Sequence, residues 1–160
     1  MSPATRLPAK LARLVDALAL MPDRQERIET LIRIADRFRP VPPELAQRPY
    51  PEENKAPACE SEAYAWALPQ PDGTLRFYFA VENPQGVSAK AMAVILDETL
   101  SGAPVEEVAR VPLSLANEIF GSELSMGKSM GLSGMVALVA AAARRQAAEN
   151  QFSGEDSGSG

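Results

Sequence analysis

Histidine is missing from the 160 residues, and cysteine occurs once, at Cys59. The first absence removes Ser/His and Cys/His catalytic pairs, His-ligated zinc or iron, and the usual pH switch. The second removes intrachain disulfides, CxxC redox pairs and structural Cys clusters, so any thiol chemistry uses one sulfur and a partner outside this chain. A basic excess is missing too. Sixteen Lys+Arg against 21 Asp+Glu give a net charge of −5, without the cationic footprint that binds phosphate backbones, and nucleic acid is not an expected partner. Long apolar runs are also absent: the least polar stretch, Gly134 to Ala143, falls short of a bilayer. The first apolar segment is broken by Arg13 and Asp16 and does not read as a secretory signal. The expectation is a soluble cytoplasmic protein in a reducing compartment, with no membrane contact.

What is present fits one globular domain, 46% hydrophobic and 23% charged, long enough to bury a core without staples. Its expected extent is 1–149. Residues 150–160, rich in Gly, Ser and acids, are expected to be a disordered tail. Charge is uneven. Met1 to Lys55 holds 10 basic and 8 acidic residues, whereas Ala56 to Arg110 holds 3 basic and 8 acidic, so the acidity sits in the middle.

Apolar residues Leu7, Leu11, Leu14, Val15 and Leu18 recur at helical spacing and predict a first helix ending near Met21. Asp23 with Glu26 predicts the cap of a second, whose core face is read as Ile28, Leu31, Ile32 and Ala35. Six prolines between Pro40 and Pro57 forbid a continuous helix there and predict a long loop. Ala63–Leu68 and Leu75–Val81 flank Asp72-Gly73, a strong hairpin signal. Gly86 to Leu100 reads as a buried helix, and Pro104 opens a short one before a connector containing Pro112.

A last helix is predicted from Ser125 to about Ala148, with Leu132, Met135, Val136, Val139, Ala140 and Ala143 facing the core. Gly127, Gly131 and Gly134 share one side of it. Each costs roughly 1 kcal/mol relative to alanine in a helix, so either another backbone packs close or a surface is kept clear for a partner. The fold class that follows is α+β: two N-terminal helices, a small antiparallel sheet of two or three strands, and C-terminal helices packed on it. Cys59, at the junction of the proline-rich loop and the first strand, is either a small buried hydrophobe or, given Glu60, Ser61 and Glu62 beside it, an accessible thiol.

Several segments in order are similar to the SufE family: Arg27-Ile-Glu-Thr-Leu-Ile, the Asn54, Cys59, Ser61 element, Asp72-Gly73, the helix bearing Lys90, Leu100-Ser-Gly-x-Pro-x-Glu-Glu-Val, and Leu124-Ser-x-x-Lys128-Ser-x-Gly131-Leu. The resemblance implies a SufE/IscU-like fold and a sulfur acceptor in iron–sulfur cluster assembly. On that reading Cys59 takes persulfide sulfur from a cysteine desulfurase of SufS type, stimulates it, and passes sulfur to an Fe–S scaffold. Asn54, Ser61, Lys90, Lys128 and Gly131 would support the thiol or contact the partner. The chain would hold no cofactor of its own, the pyridoxal phosphate belonging to the desulfurase, and would be an accessory protein and not an enzyme. It departs from the family pattern at Ala58, at Glu60, whose charge disfavours a thiolate, and at Lys128, where a point charge stands in for a planar arginine fork. A thiol redox sensor and a non-catalytic interaction module are the alternatives. A cluster scaffold is excluded, since it would need three cysteines and a further ligand where this chain has one cysteine and no histidine.

Overall fold

Asp23 does begin a helix: its carboxylate accepts the Gln25 N–H at 3.0 Å, and α2 (Arg24–Ala35) follows α1 (Ala9–Ala19). The computed structural model describes residues 7–57, 62–121, 124 and 126–158, with side chains to 152. A 3₁₀ turn at Glu52–Asn54 precedes β1 (Ala63–Pro69) and β2 (Leu75–Val81); α3 (Val87–Leu100), α4 (Val105–Val108), α5 (Leu115–Phe120) and α6 (Met126–Gly158) complete the chain. The architecture is the expected α+β.

The two strands pair antiparallel, Ala63 opposite Val81 through Pro69 opposite Leu75. Period-2 alternation gives the hairpin two different faces. On the inner face β2 offers Leu75, Phe77 and Phe79, all buried, while β1 offers only Ala63, Ala65 and Ala67. Bulk on one strand against small residues on its neighbour leaves room for helix backbone, and α3 packs on β2 while α6 packs on β1. α3 is the hub, touching α1, α2, α6 and β2, which explains why it is apolar around most of its circumference. The outer face is covered by the proline-rich loop. Val41 donates its N–H to Phe79 O at 2.8 Å, and Tyr50 sits 5.2 Å from the rings of both Tyr64 and Trp66, closing a second small core.

The outer edge of β2 is also partly capped. Besides Val41, Ser101 Oγ accepts the Phe77 N–H at 3.0 Å and Gly102 donates its N–H to Leu75 O at 2.9 Å.

Three expectations are corrected. The buried face of α2 is Leu31, Ile34 and Ala35, packed toward α3, with Ile28 and Ile32 exposed; Arg27, one turn before Leu31, donates its guanidinium to the carbonyls of Glu118 (2.6 Å) and Ile119 (2.9 Å) at the end of α5. Those carbonyls have no partner within the helix, and a cation is favoured at that negative end. Helix α5 itself occupies what the sequence reads as connector; six residues after Pro112 are too few for a periodic signal. Finally, α6 does not end near Ala148 but continues through the segment 150–158. Asn150, the first residue of that segment, belongs to the fold: its amide donates to Gly73 O at 2.9 Å and accepts from Gln146, tying the helix to the hairpin turn.

Taken as one helix and not as an unbroken run, Met126–Phe152 is long and apolar enough to cross a membrane, contrary to the reading by runs. Its stripe of Leu132, Met135, Val136, Val139, Ala140 and Ala143 is instead buried against the rest of the chain.

Two outcomes follow. Arg27→Ala, which leaves two terminal carbonyls without their charged donor, is expected to lower unfolding free energy by about 1–2 kcal/mol in urea titrations. Thr74 Oγ1 and N–H both donate to Asp72 Oδ1, at 2.6 and 3.0 Å, and hold that carboxyl below its ordinary range. A depressed folded-state pKa means a stabilisation complete above the ordinary carboxylate range and lost as pH falls through the folded value. Thr74→Val is expected to raise the Asp72 midpoint in an NMR titration.

Candidate functional site

The segment entering the Cys59 region is fixed residue by residue. Asn54 Nδ2 donates to Ala65 O at 2.8 Å, filling a strand-edge acceptor as a backbone amide would. Lys55 bridges Tyr64, and Ala56 donates its N–H to Ala63 O at 2.8 Å, so the chain before the loop runs antiparallel to the start of β1. On the far side, Glu62 adopts a left-handed φ of 51° and accepts the Glu82 N–H at 3.1 Å. A left-handed residue with a side chain costs about 1–2 kcal/mol, which the flanking pairing must offset.

Pro57 is set down on α6. A Cβ built at Gly134 would lie 2.5 Å from Pro57 O and 3.2 Å from Pro57 Cδ, so the backbone crosses the helix where a side chain has been omitted. Of the two readings of the glycine stripe, close backbone approach holds at Gly134.

Next to these anchor points lies a groove of about 210 Å³, lined by Asn83, Gln85, Gly86, Val87, Ser88 and Ala89 on one side and Gly127, Lys128, Gly131 and Leu132 on the other. Its walls are the first turns of α3 and α6. No side chain caps the start of α3, whose N-cap is Gly86, and the positive ends of two helices favour an anion here.

The residues singled out in the sequence are distributed as follows. Lys128 and Gly131 meet in this groove. Asn54 lies instead in a second groove, of about 310 Å³ between β1 and α6, with Trp66, Leu138, Ala142 and Arg145. Lys90 is in the first turn of α3, half-buried, and lines neither. Cys59 and Ser61, with Ala58 and Glu60, lie outside the described residues. Covalent geometry alone keeps the Cys59 Cα within about 7 Å of that of Pro57. Among the described residues no group of His, Cys, Asp or Glu is arranged to hold a metal ion. Sequence reasoning missed Gly86, Val87 and the specific role of Gly134; for Gly134 the signal was the stripe itself, for the other two there was none.

Gly134→Ala supplies about 1 kcal/mol of helix propensity yet drives a methyl into backbone, a clash costing about 1–3 kcal/mol. The urea midpoint is expected to fall; a rise would show that Pro57 is not seated there.

Comparison with known proteins agrees with this architecture. A structure described as the solution structure of a hypothetical protein from Thermus thermophilus superposes with a TM-score of 0.69 at 24% identity, covering 89% of this chain and 99% of that one, and shows the same fold. No curated protein matches. The family model "SufE: Fe-S metabolism associated domain" matches residues 12–143, from the middle of α1 to the core turns of α6 and across every anchor of the Cys59 loop, and the chain therefore belongs to the SufE family.

Proposed function

We propose that the protein is a sulfur acceptor: Cys59 takes a sulfur atom from the persulfide of a cysteine desulfurase, stimulates that enzyme and carries the sulfur toward iron–sulfur cluster assembly. The observation that carries the reading is positional. The one sulfhydryl of the chain falls in a six-residue segment, 57–62, tied down at both ends beside a groove where two helix N-termini meet. Membership of a family associated with Fe–S metabolism supplies the chemical class.

The transfer balances without an external oxidant. The Cys59 thiolate attacks the terminal sulfur of the donor's persulfide. One S–S bond forms on Cys59 as the donor's S–S bond breaks, and the donor cysteine leaves as thiolate and takes up the proton that Cys59 lost. A free thiol with a pKa near 8.5 is only a few per cent ionised at neutral pH, so the acceptor gains from any positive potential at its loop. On this reading the starts of α3 and α6 and the Lys128 ammonium, which line the groove, supply it. A chain with a single cysteine has no second thiol to attack the new persulfide and release its sulfur as sulfide. The pyridoxal phosphate that mobilises the sulfur belongs to the donor. On this reading the protein is a carrier and activator, working in the cytoplasm with a SufS-like donor and a cluster scaffold as recipient.

Incubation of the protein with a PLP-dependent cysteine desulfurase and free cysteine is expected to add one sulfur atom to Cys59, read by intact mass and removed by reductant. Cys59→Ser is expected to accept none and to lose stimulation of the desulfurase. A wild-type protein that stays at its original mass while the desulfurase turns over would sink the proposal.

A further inference from the structure

Nine large apolar side chains remain exposed among the described residues, and four of them, Val87, Leu113, Met126 and Met130, gather around the first turns of α6. Met126 is 79% exposed and Met130 54%. Leu113 is held against the same helix, its carbonyl accepting from Ser133 Oγ at 3.2 Å, and Val87 faces Gly127 and Gly131 across the groove. Single exposed hydrophobes are ordinary, but several on one ridge mark a surface that spends part of its time covered. Nothing in this chain covers it among the described residues.

We propose that this ridge, centred on Met126 and Met130, is the platform on which the sulfur-donor protein docks; the inference rests on the sulfur-acceptor reading given above. The donor's reactive sulfur must reach bonding distance of Cys59, and covalent connectivity ties Cys59 to within about 7 Å of Pro57. Pro57 is seated on Gly134. With a rise of 1.5 Å and a turn of 100° per residue, Met130 and Met126 lie about 6 and 12 Å along the axis from Gly134 and about 40° and 80° around it. They are on the same side of the helix as the loop anchor. A specific interface of ordinary size buries about 800 Å² per partner, a disc of about 16 Å radius, so a protein that engages Cys59 and binds stably also covers this ridge.

The chemistry of the ridge fits such an occupant. Methionine is unbranched and polarisable and adapts to irregular apolar surfaces, suiting a contact that must form, pass on one atom and release. The bare glycines 127 and 131 between Met130 and Val87 leave the groove open for a protruding part of the partner. Phe152, 73% exposed and about 33 Å along α6 from Met130, lies outside that disc and serves as a control.

The test is the rate of Cys59 persulfidation by a PLP-dependent desulfurase and free cysteine, followed against acceptor concentration. Met126→Glu/Met130→Glu is expected to raise the acceptor's apparent KM by about tenfold or more with little change in kcat. Met126→Leu/Met130→Leu and Phe152→Glu are expected to stay within about twofold of wild type. Alkylation of Cys59 by iodoacetamide is expected to be equally fast in every variant, showing that the thiol itself is untouched; Leu113→Ser gives a second, smaller perturbation of the ridge. An unchanged KM in the glutamate variant while wild type accepts sulfur overturns this inference alone. A loss of self-association by sedimentation with an unchanged KM overturns it in favour of a second copy of the chain as occupant. A wild-type protein that accepts no sulfur overturns the underlying reading as well.

Discussion

One contact organises the functional half of the molecule: the carbonyl of Pro57 lying where a Cβ of residue 134 would be. Because the helix is bare there, the end of the proline-rich loop can rest on α6 backbone and need not be held off by a side chain. The same loop is already fixed to the sheet by Val41, Tyr50, Asn54 and Ala56. Sheet, loop and long helix thus meet at one place, and the cysteine-bearing segment leaves from it. A glycine that weakens a helix by roughly 1 kcal/mol is retained because the tertiary contact depends on it.

The uneven charge of the sequence is explained by the fold. The acidic middle does not form an isolated negative face, since residues of the basic first third reach across to it. Arg37 holds Glu98 through two hydrogen bonds, at 2.8 and 3.2 Å, and Arg48 holds Glu82 at 2.8 Å. Both arginines are exposed, and water screens such surface pairs so that they add little to stability. Their effect is orientation: Arg48 belongs to the loop and Glu82 donates its own N–H to Glu62, so loop entry and loop exit are joined by an ion pair and a backbone bond through one residue.

Much of this was legible in the residues. The hairpin follows from Asp72-Gly73 and the two aromatic-rich runs that flank it, and the core stripe of α6 from Leu132 to Ala143 repeats too regularly to be read otherwise. Legibility failed where a tertiary contact outweighs local pattern. Ile28 and Ile32 fit a helical apolar face as well as Leu31 and Ala35 do, and only the packing of α2 on α3 decides which face turns inward. Asn150 sits in a composition typical of a solvated tail, yet one side-chain amide finds the Gly73 carbonyl, a partner 77 residues away that no local pattern announces. At the site, Lys128 and Gly131 were legible through the order of the segments that carry them, whereas Val87 became part of it only through the packing of α3 beside α6.

The capping of the β2 edge has its own consequence. A two-stranded ribbon would ordinarily present two rows of unpaired amides and carbonyls to other chains, an invitation to runaway strand addition and aggregation. Here Val41, Ser101 and Gly102 pair with Phe79 O, Phe77 N–H and Leu75 O on the β2 side, none of them in a strand. On the β1 side Lys55, Ala56 and Asn54 cover the first half, and α6 stands as a wall along the rest. The smallest sheet that can carry the loop is thereby kept from growing by strand addition, so the loop is presented on a platform of fixed size.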